Sequence, residues 1–111
     1  PGNRFSGLPS MKIIFDRQFQ TDYKQIVRHQ PHIKDEIREL IYTIEEIGEI
    51  PPTYNPHELT NPRGTYTGYW GLHLQEGAFD VVVVYHQLRK NQTIRFIRIG
   101  SHRQLFQGKE L

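Results

Sequence analysis

Histidine is the side chain whose ordinary pKa, about 6.5, lets it both accept and give up a proton near neutrality. The 111-residue sequence contains six histidines: His29, His32, His57, His73, His86 and His102. Three of them sit in informative surroundings. His57, His73 and His102 each fall in a loop or near a strand end, in segments that also carry glycine and aromatic residues. His102 belongs to the run Thr93-Ile-Arg-Phe-Ile-Arg-Ile-Gly-Ser-His-Arg-Gln-Leu-Phe106, which reads as a strand that stops at Gly100 and then presents His102 and Phe106. Arg95 and Arg98 lie on that strand. An imidazole, an aromatic ring and guanidinium groups in one short segment are the parts needed to hold and cut a nucleic-acid strand. His29 and His32 flank a helix break and read as surface residues, and His86 ends a strand and reads as solvent-facing.

Something must bring these groups together, and the predicted elements do so. Met11–Phe15 is a short strand. Asp16 is placed to cap the helix that follows, on which Phe19, Tyr23, Ile26 and Val27 share one face. Gln30-Pro31 breaks that helix, and Pro31 suits the first turn of a second one. The second helix carries Ile33, Ile37, Leu40, Ile41, Ile44 and Ile47 in one stripe, Asp35 and Glu36 near its positive end, and Gly48 as its stop. The two are expected as an antiparallel hairpin with apolar faces directed at a sheet. Residues 50–64 are rich in proline and turn formers and read as a structured loop carrying His57.

Three strands follow, at 66–74, 79–87 and 93–99, joined by turns at Gln75–Ala78 and Arg89–Gln92. Val81-Val-Val-Val-Tyr85 is an uninterrupted apolar run of the kind found in a central strand buried on both faces. The order β-α-α-β-β-β predicts an α+β domain: an N-terminal strand and a three-stranded antiparallel meander with a helical hairpin on one face. In such a meander the start of 79–87 lies beside the end of 66–74 and the end of 93–99. His73, Asp80 and His102 therefore meet at one edge of the sheet. Taken singly, a loop histidine is ordinary polar surface and Asp80 a turn cap, so the spacing alone leaves a catalytic group and a plain binding surface both open.

Composition narrows the classes. The chain is of single-domain length, and residues 1–10, with Gly2, Gly7 and Pro9 and no periodicity, read as a leader preceding a domain at 11–111. There is no cysteine, which removes disulfides and thiolate metal sites and fits a reducing, cytoplasmic setting. No apolar run approaches the roughly 20 residues of a membrane helix. Charge is unevenly spread. Residues 1–61 hold seven basic and nine acidic side chains, net −2, whereas residues 62–111 hold seven basic and three acidic, net +4. A basic second half points to an anionic partner, or else to a solvated basic face.

Several segments, in order, resemble the YafQ branch of the RelE/ParE superfamily of bacterial toxins. Gln18-Phe19…Asp22-Tyr23-Lys24 is similar in its early part. Pro51…Tyr54…His57-Glu-Leu59 resembles a loop histidine followed by leucine, and Gly68-Tyr69…His73 resembles a Gly-Tyr pair with histidine four residues on. Asp80-Val-Val-Val-Val-Tyr85 resembles an aspartate before an apolar strand ending in tyrosine. Arg98-Ile-Gly-Ser-His102-Arg-Gln-Leu-Phe106 resembles a closing Arg-x-Gly-[Ser/Thr]-His-x-x-Leu-Phe signature. The chain departs from the pattern by extra residues around Asn61-Pro62-Arg63 and within Gln75–Ala78. It also has Gly71 where an acidic residue often precedes the second histidine by two.

The resemblance implies a ribosome-dependent endoribonuclease that cleaves mRNA and is silenced by a cognate antitoxin, with no cofactor. It implies an active site of His57, His73, Asp80, His102 and Phe106, with Arg98, and on charge Arg95 and Arg103, holding RNA phosphate. The expected chemistry uses the RNA's own 2′-OH as nucleophile. His102 is the general acid, Asp80 or His73 the base, His57 and Arg98 contact the phosphate, and Phe106 stacks on a base. The products would be a 2′,3′-cyclic phosphate or 3′-phosphate and a 5′-OH. A metal site is disfavoured because the four polar positions contain no short H-x-x-H or H-x-x-x-H element. Two alternatives stand beside this reading: a gyrase inhibitor of the ParE kind, which has no need of the histidines, and an RNA-binding module without catalysis.

Overall fold

Periodic apolar residues become two helices, and the β-branched runs become a sheet beneath them. The computed structural model describes residues 11–60, 66–74, 80–88, 90 and 92–106. The proposed leader, the Asn61–Arg63 insertion, the Gln75–Ala78 turn, Phe79 and part of the Arg89–Gln92 turn lie outside the described residues.

Strand β1 (Lys12–Phe15) leads into helix α1 (Arg17–His29) and helix α2 (His32–Ile47). A two-residue strand β2 (His57–Glu58) follows, then β3 (Trp70–His73), β4 (Val82–Leu88), β5 (Thr93–Gly100) and a short helix α3 (His102–Phe106). Gly48 ends α2 as expected. Its φ of 78° places it in the left-handed region that glycine occupies without steric cost, and its N–H donates to the Ile44 carbonyl at 2.7 Å. Pro31 stands one position earlier than expected, at the N-cap. Asp16 precedes α1 with extended backbone, but its side chain makes no capping bond. Its carboxylate turns to Arg95 on β5, 3.4 Å away.

The five strands form one mixed sheet in the order β1-β5-β4-β3-β2, with β1 parallel to β5 and the other pairs antiparallel. The expected meander is present as β3-β4-β5, with two corrections. Residues 66–69 are a turn rather than strand, because Gly68 takes a φ of 92° and Tyr69 N–H closes onto the Tyr66 carbonyl at 3.0 Å. The segment read as a loop around His57 supplies a fifth strand. Its pairing continues past Glu58: Leu59 N–H donates to the Tyr69 carbonyl at 2.7 Å, and Gly68 N–H donates to Leu59 at 3.0 Å.

Strand β4 is central and buried on both faces, as its valines predict. Alternation sends Val81, Val83 and Tyr85 to one face and Val82 and Val84 to the other. The first face is the main core. There Phe19 of α1 and Ile33, Ile37, Leu40 and Ile44 of α2 pack with Leu72, Ile94, Phe96 and Ile99. On the second face Leu105 of α3 covers the valines, flanked by Leu59, Tyr66, Tyr69, Ile97 and Phe106. A bulge resets the face pattern of β5: Val84 pairs with Arg98 and Tyr85 with Phe96, leaving Ile97 unpaired. Among the described residues, no helix is long and apolar enough to cross a membrane.

Candidate active site

Register alone sets most of the site. His73 on β3 lies opposite Val82 on β4, and Val82 lies opposite Gly100 on β5. His57 on β2 lies opposite Gly71 on β3. Gly71 and His73 share the face of Val82, away from α1 and α2.

Gly71 explains how the two imidazoles meet. A Cβ built there would stand 3.2 Å from Leu59 Cδ2 and 3.7 Å from His57 Cε1. With no side chain at 71, the His57 ring lies over the strand and stacks on His73, centroids 5.5 Å apart and planes 23° apart. The tight contact at this position would be with Leu59, while the His57 ring sits at ordinary contact distance. His57 Nδ1 is 3.1 Å from the Asn55 carbonyl oxygen, which fixes the ring's tilt.

Beyond Gly100 the chain turns at once into α3, and three features shape that turn. Gly100 leaves room for the Gln104 side chain to fold back on the turn: a Cβ there would meet Gln104 Oε1 at 2.8 Å. Ser101 and Gln104 form a capping box. Gln104 N–H donates to Ser101 Oγ, and Ser101 N–H donates to Gln104 Oε1, both at 3.0 Å. Asp80 completes the cap, because both its carboxylate oxygens accept from the His102 backbone N–H at 3.1 Å. Leu105, buried, pins the helix to the valine face. The helix was not anticipated, although Ser101-His-Arg-Gln104 is the sequence signal of a capping box. Its consequence is that His102 and Phe106, four residues apart, share one helical face, with ring centroids 5.7 Å apart.

Asp80 also grips the His102 ring, with Nδ1 at 2.6 Å from Oδ1. An ionised carboxylate only accepts, so Nδ1 carries a proton and Nε2 is the nitrogen left for another partner. Burial works against the Asp80 charge, but the His102 side-chain and backbone hydrogen bonds, aided by the charges of His102 and His73, outweigh it. They hold the carboxyl below its usual range. His73 lies between the other two imidazoles, 5.6 Å from the His102 centroid. Burial first, and then repulsion by His57 and His102, push its pKa below 6.5, against a smaller upward pull from Asp80. At neutral pH the His73 ring is therefore held as the neutral base, beside an imidazole whose second nitrogen is fixed by a carboxylate. About half of the Asp80 and His102 side chains is exposed, so the group is open to a large ligand.

The meander, with β2 at its edge and α3 at its end, thus brings His57, His73, Asp80, His102 and Phe106 into one cluster. The arginines are placed differently from one another. Arg98 Nε and Nη2 donate to the Asp22 carboxylate of α1 at 2.6 and 3.2 Å, and Nη1 donates to Tyr66 Oη at 2.9 Å. The fork expected to hold phosphate already holds a carboxylate and a phenol. Arg95 and Arg103 are exposed. His29 and His32 are on the surface as expected. His86 is not simply solvent-facing: it is half-buried and stacks on Tyr69, with centroids 5.1 Å apart and planes 4° apart. Among the described residues, no three His, Asp or Glu side chains are grouped so as to hold one metal ion.

Comparison with known proteins bears on this arrangement. The chain has the fold of the crystal structure of YafQ from E. coli strain BL21(DE3), with a TM-score of 0.64 and 23% identity over 86% of this chain and 98% of that one. A chain in the crystal structure of the E. coli DinJ-YafQ toxin-antitoxin complex matches with a TM-score of 0.65 and 22% identity over 88% of this chain and 99% of that one. A YoeB/ParE toxin from Agrobacterium tumefaciens matches at 0.60 and 22% over 83% and 99%. No curated protein sequence matches the chain at a significant level. The model of the family described as "Bacterial toxin of type II toxin-antitoxin system, YafQ" matches residues 11–107, from the residue before β1 to the residue after α3. With its whole described fold inside that match, the chain belongs to the YafQ family of bacterial type II toxin–antitoxin toxins.

Proposed function

We propose that this toxin is a metal-independent endoribonuclease that cuts mRNA on the ribosome by the RNA's own 2′-OH. The observation that carries the reading is the pairing of two imidazoles with different surroundings within one cluster. His73 is held neutral, and His102 is held by Asp80 through Nδ1, which leaves Nε2 for the substrate. In-line attack needs a base for the 2′-OH and an acid for the 5′-oxygen. His73 takes the first proton and His102 Nε2 delivers the second. Asp80 orients the acid through Nδ1 rather than acting as base. His57, stacked on His73, contacts the scissile phosphate. Phe106 stacks on a base beside the cut. Arg103 and Arg95 supply exposed positive charge for the RNA backbone. Arg98 serves the fold, since each of its nitrogens already holds Asp22 or Tyr66.

The partners follow from the same chemistry. The basic second half, net +4, suits ribosomal RNA and mRNA, and the DinJ-YafQ complexes support a cognate antitoxin for this chain also. The test is primer extension on an mRNA in a purified translation system, with and without ribosomes. Cuts that need ribosomes, leave 5′-OH ends and disappear when the nucleotide 5′ of the cut is 2′-deoxy are the expected result. Cuts that survive the 2′-deoxy substitution would overturn the mechanism. Absence of any cut, with inhibition of DNA supercoiling, would instead favour a gyrase inhibitor.

The pH profile gives a second expectation. The ascending limb should lie below 6.5, because His73 must be neutral to act and its pKa is lowered. His57→Gln removes one of the charges that lower it, so the limb should move to higher pH. Asp80→Asn removes the charge that raises it, so the limb should move to lower pH. Initial cleavage rates between about pH 5 and 8 check both signs, within the range where histidine titrates.

A further inference from the structure

The open face of the sheet carries more aromatic surface than the catalytic cluster uses. From Phe106 the rings continue to Tyr66 at 6.0 Å, from Tyr66 to Tyr69 at 6.3 Å, and from Tyr69 to His86 at 5.1 Å. The last pair is nearly parallel, with 4° between its planes. His86 lies on the same face as Val82 and Val84 by strand alternation, and its direct partner across the ladder is Arg95. Arg95 is exposed, and its contact with Asp16 at 3.4 Å is a surface pair. Pairs of that kind contribute little and give way readily to another anion.

We propose that Tyr69, His86 and Arg95 form a second nucleotide subsite, which stacks the base and holds the phosphate of a single-stranded RNA nucleotide flanking the cut. The proposal rests on the RNA-cleaving reading above. Its spacing fits. His86 stands four residues along β4 from Val82, which pairs with His73, so the two sites are roughly 13 Å apart at ~3.3 Å per residue. That is about four nucleotides of a stacked strand and fewer of a stretched one. The ring types fit as well. Aromatic faces bind any base, whereas a phenol stacked on an imidazole adds hydrogen-bonding groups at its rim that can favour one base over another. Tyr69 packs partly on the valine cluster, and its stack with His86 carries the row of rings beyond that cluster toward Arg95.

The subsite should govern binding rather than the chemical step. On ribosomes programmed with mRNAs that differ only in the nucleotides flanking the cut, Tyr69→Ala should raise the half-saturating toxin concentration roughly tenfold, the loss expected for one stacked base. The cleavage rate at saturation should change little, and discrimination among flanking nucleotides should weaken. Tyr69→Phe, which keeps the ring, should restore most of the affinity. Arg95→Gln should flatten the salt dependence by about one phosphate contact. His86→Ala reads the same platform if Tyr69→Ala folds poorly. Wild-type half-saturation and an unchanged flanking preference in Tyr69→Ala and His86→Ala, with the wild type cutting normally, would overturn the subsite and leave the nuclease reading standing. A wild type that cuts nothing would overturn both.

Discussion

His102→Ala should lower the single-turnover cleavage rate by roughly 10²–10⁴-fold, the usual contribution of a positioned proton donor. The fold should survive the change, for a reason visible in the local bonding. Asp80 caps α3 through the backbone N–H of residue 102, and alanine retains that donor. The lost imidazole is more than half exposed, so no cavity opens in the core. Leu105 still anchors the helix. The variant should therefore bind antitoxin and melt like the wild type while failing to cut. Asp80→Asn is its companion. It keeps the shape of the carboxylate and one acceptor oxygen but not the charge, so the His102 ring loses the charged partner of its Nδ1–H. Activity should fall less than in His102→Ala, with the ascending pH limb displaced downward as derived above. Near wild-type cleavage by His102→Ala, measured by primer extension on programmed ribosomes, would remove His102 from the proton path.

The contrast between these variants shows how much of the site a sequence can display. His73, Asp80 and His102 were legible because antiparallel pairing fixes neighbours: a strand that begins at Asp80 must start beside the end of one partner and the start of the next connection. Val81–Tyr85 was legible because burial on both faces leaves no polar position. What the sequence did not disclose depends on contacts between segments remote from each other. The strand at His57–Glu58 exists because the Leu59 and Tyr69 backbones meet across Gly68, and nothing local distinguishes that from a proline-rich loop. Asp16 looks like a helix cap until Arg95, from a strand far along the chain, draws its carboxylate away. The bulge at Ile97 changes which residues of β5 share a face, and no simple alternation shows it. The capping box at Ser101–Gln104 was written in the sequence, and recognising it would have placed His102 and Phe106 on one helical face.

Asp22→Asn should destabilise the domain by about 2–3 kcal/mol, and the reason also bears on the role of Arg98. The Asp22 carboxylate accepts from Arg98 Nε and Nη2, from the Ile99 backbone N–H at 3.2 Å and from Gln18 Nε2 at 3.0 Å. The edge of β5 past Phe96 has lost its β1 partner, and this side chain takes that partner's place for one N–H. Asparagine presents an NH₂ where the guanidinium needs an acceptor, leaving donor against donor. Hydrogen bonds to charged groups contribute about 1.5–3 kcal/mol each, and breaking a fully buried pair costs about 3–5. Arg98 is 26% and Asp22 11% exposed, so solvent screening reduces the cost toward the lower end of that range. For a domain of this size each kcal/mol moves Tm by roughly 4–8 °C, which puts the expected drop at about 10–20 °C. Arg98→Lys should not recover it, because a single ammonium cannot match the forked contact with the carboxylate and the phenol together. Arg98 lies four residues before His102, so loosening β5 here should lower the cleavage rate along with Tm. A phosphate-binding Arg98 makes the opposite prediction for Asp22→Asn. Freed from its carboxylate, the guanidinium would grip RNA more tightly, and half-saturation would fall. Calorimetric Tm and half-saturation, measured on the same preparation, separate an arginine that holds the strand from one that holds the substrate.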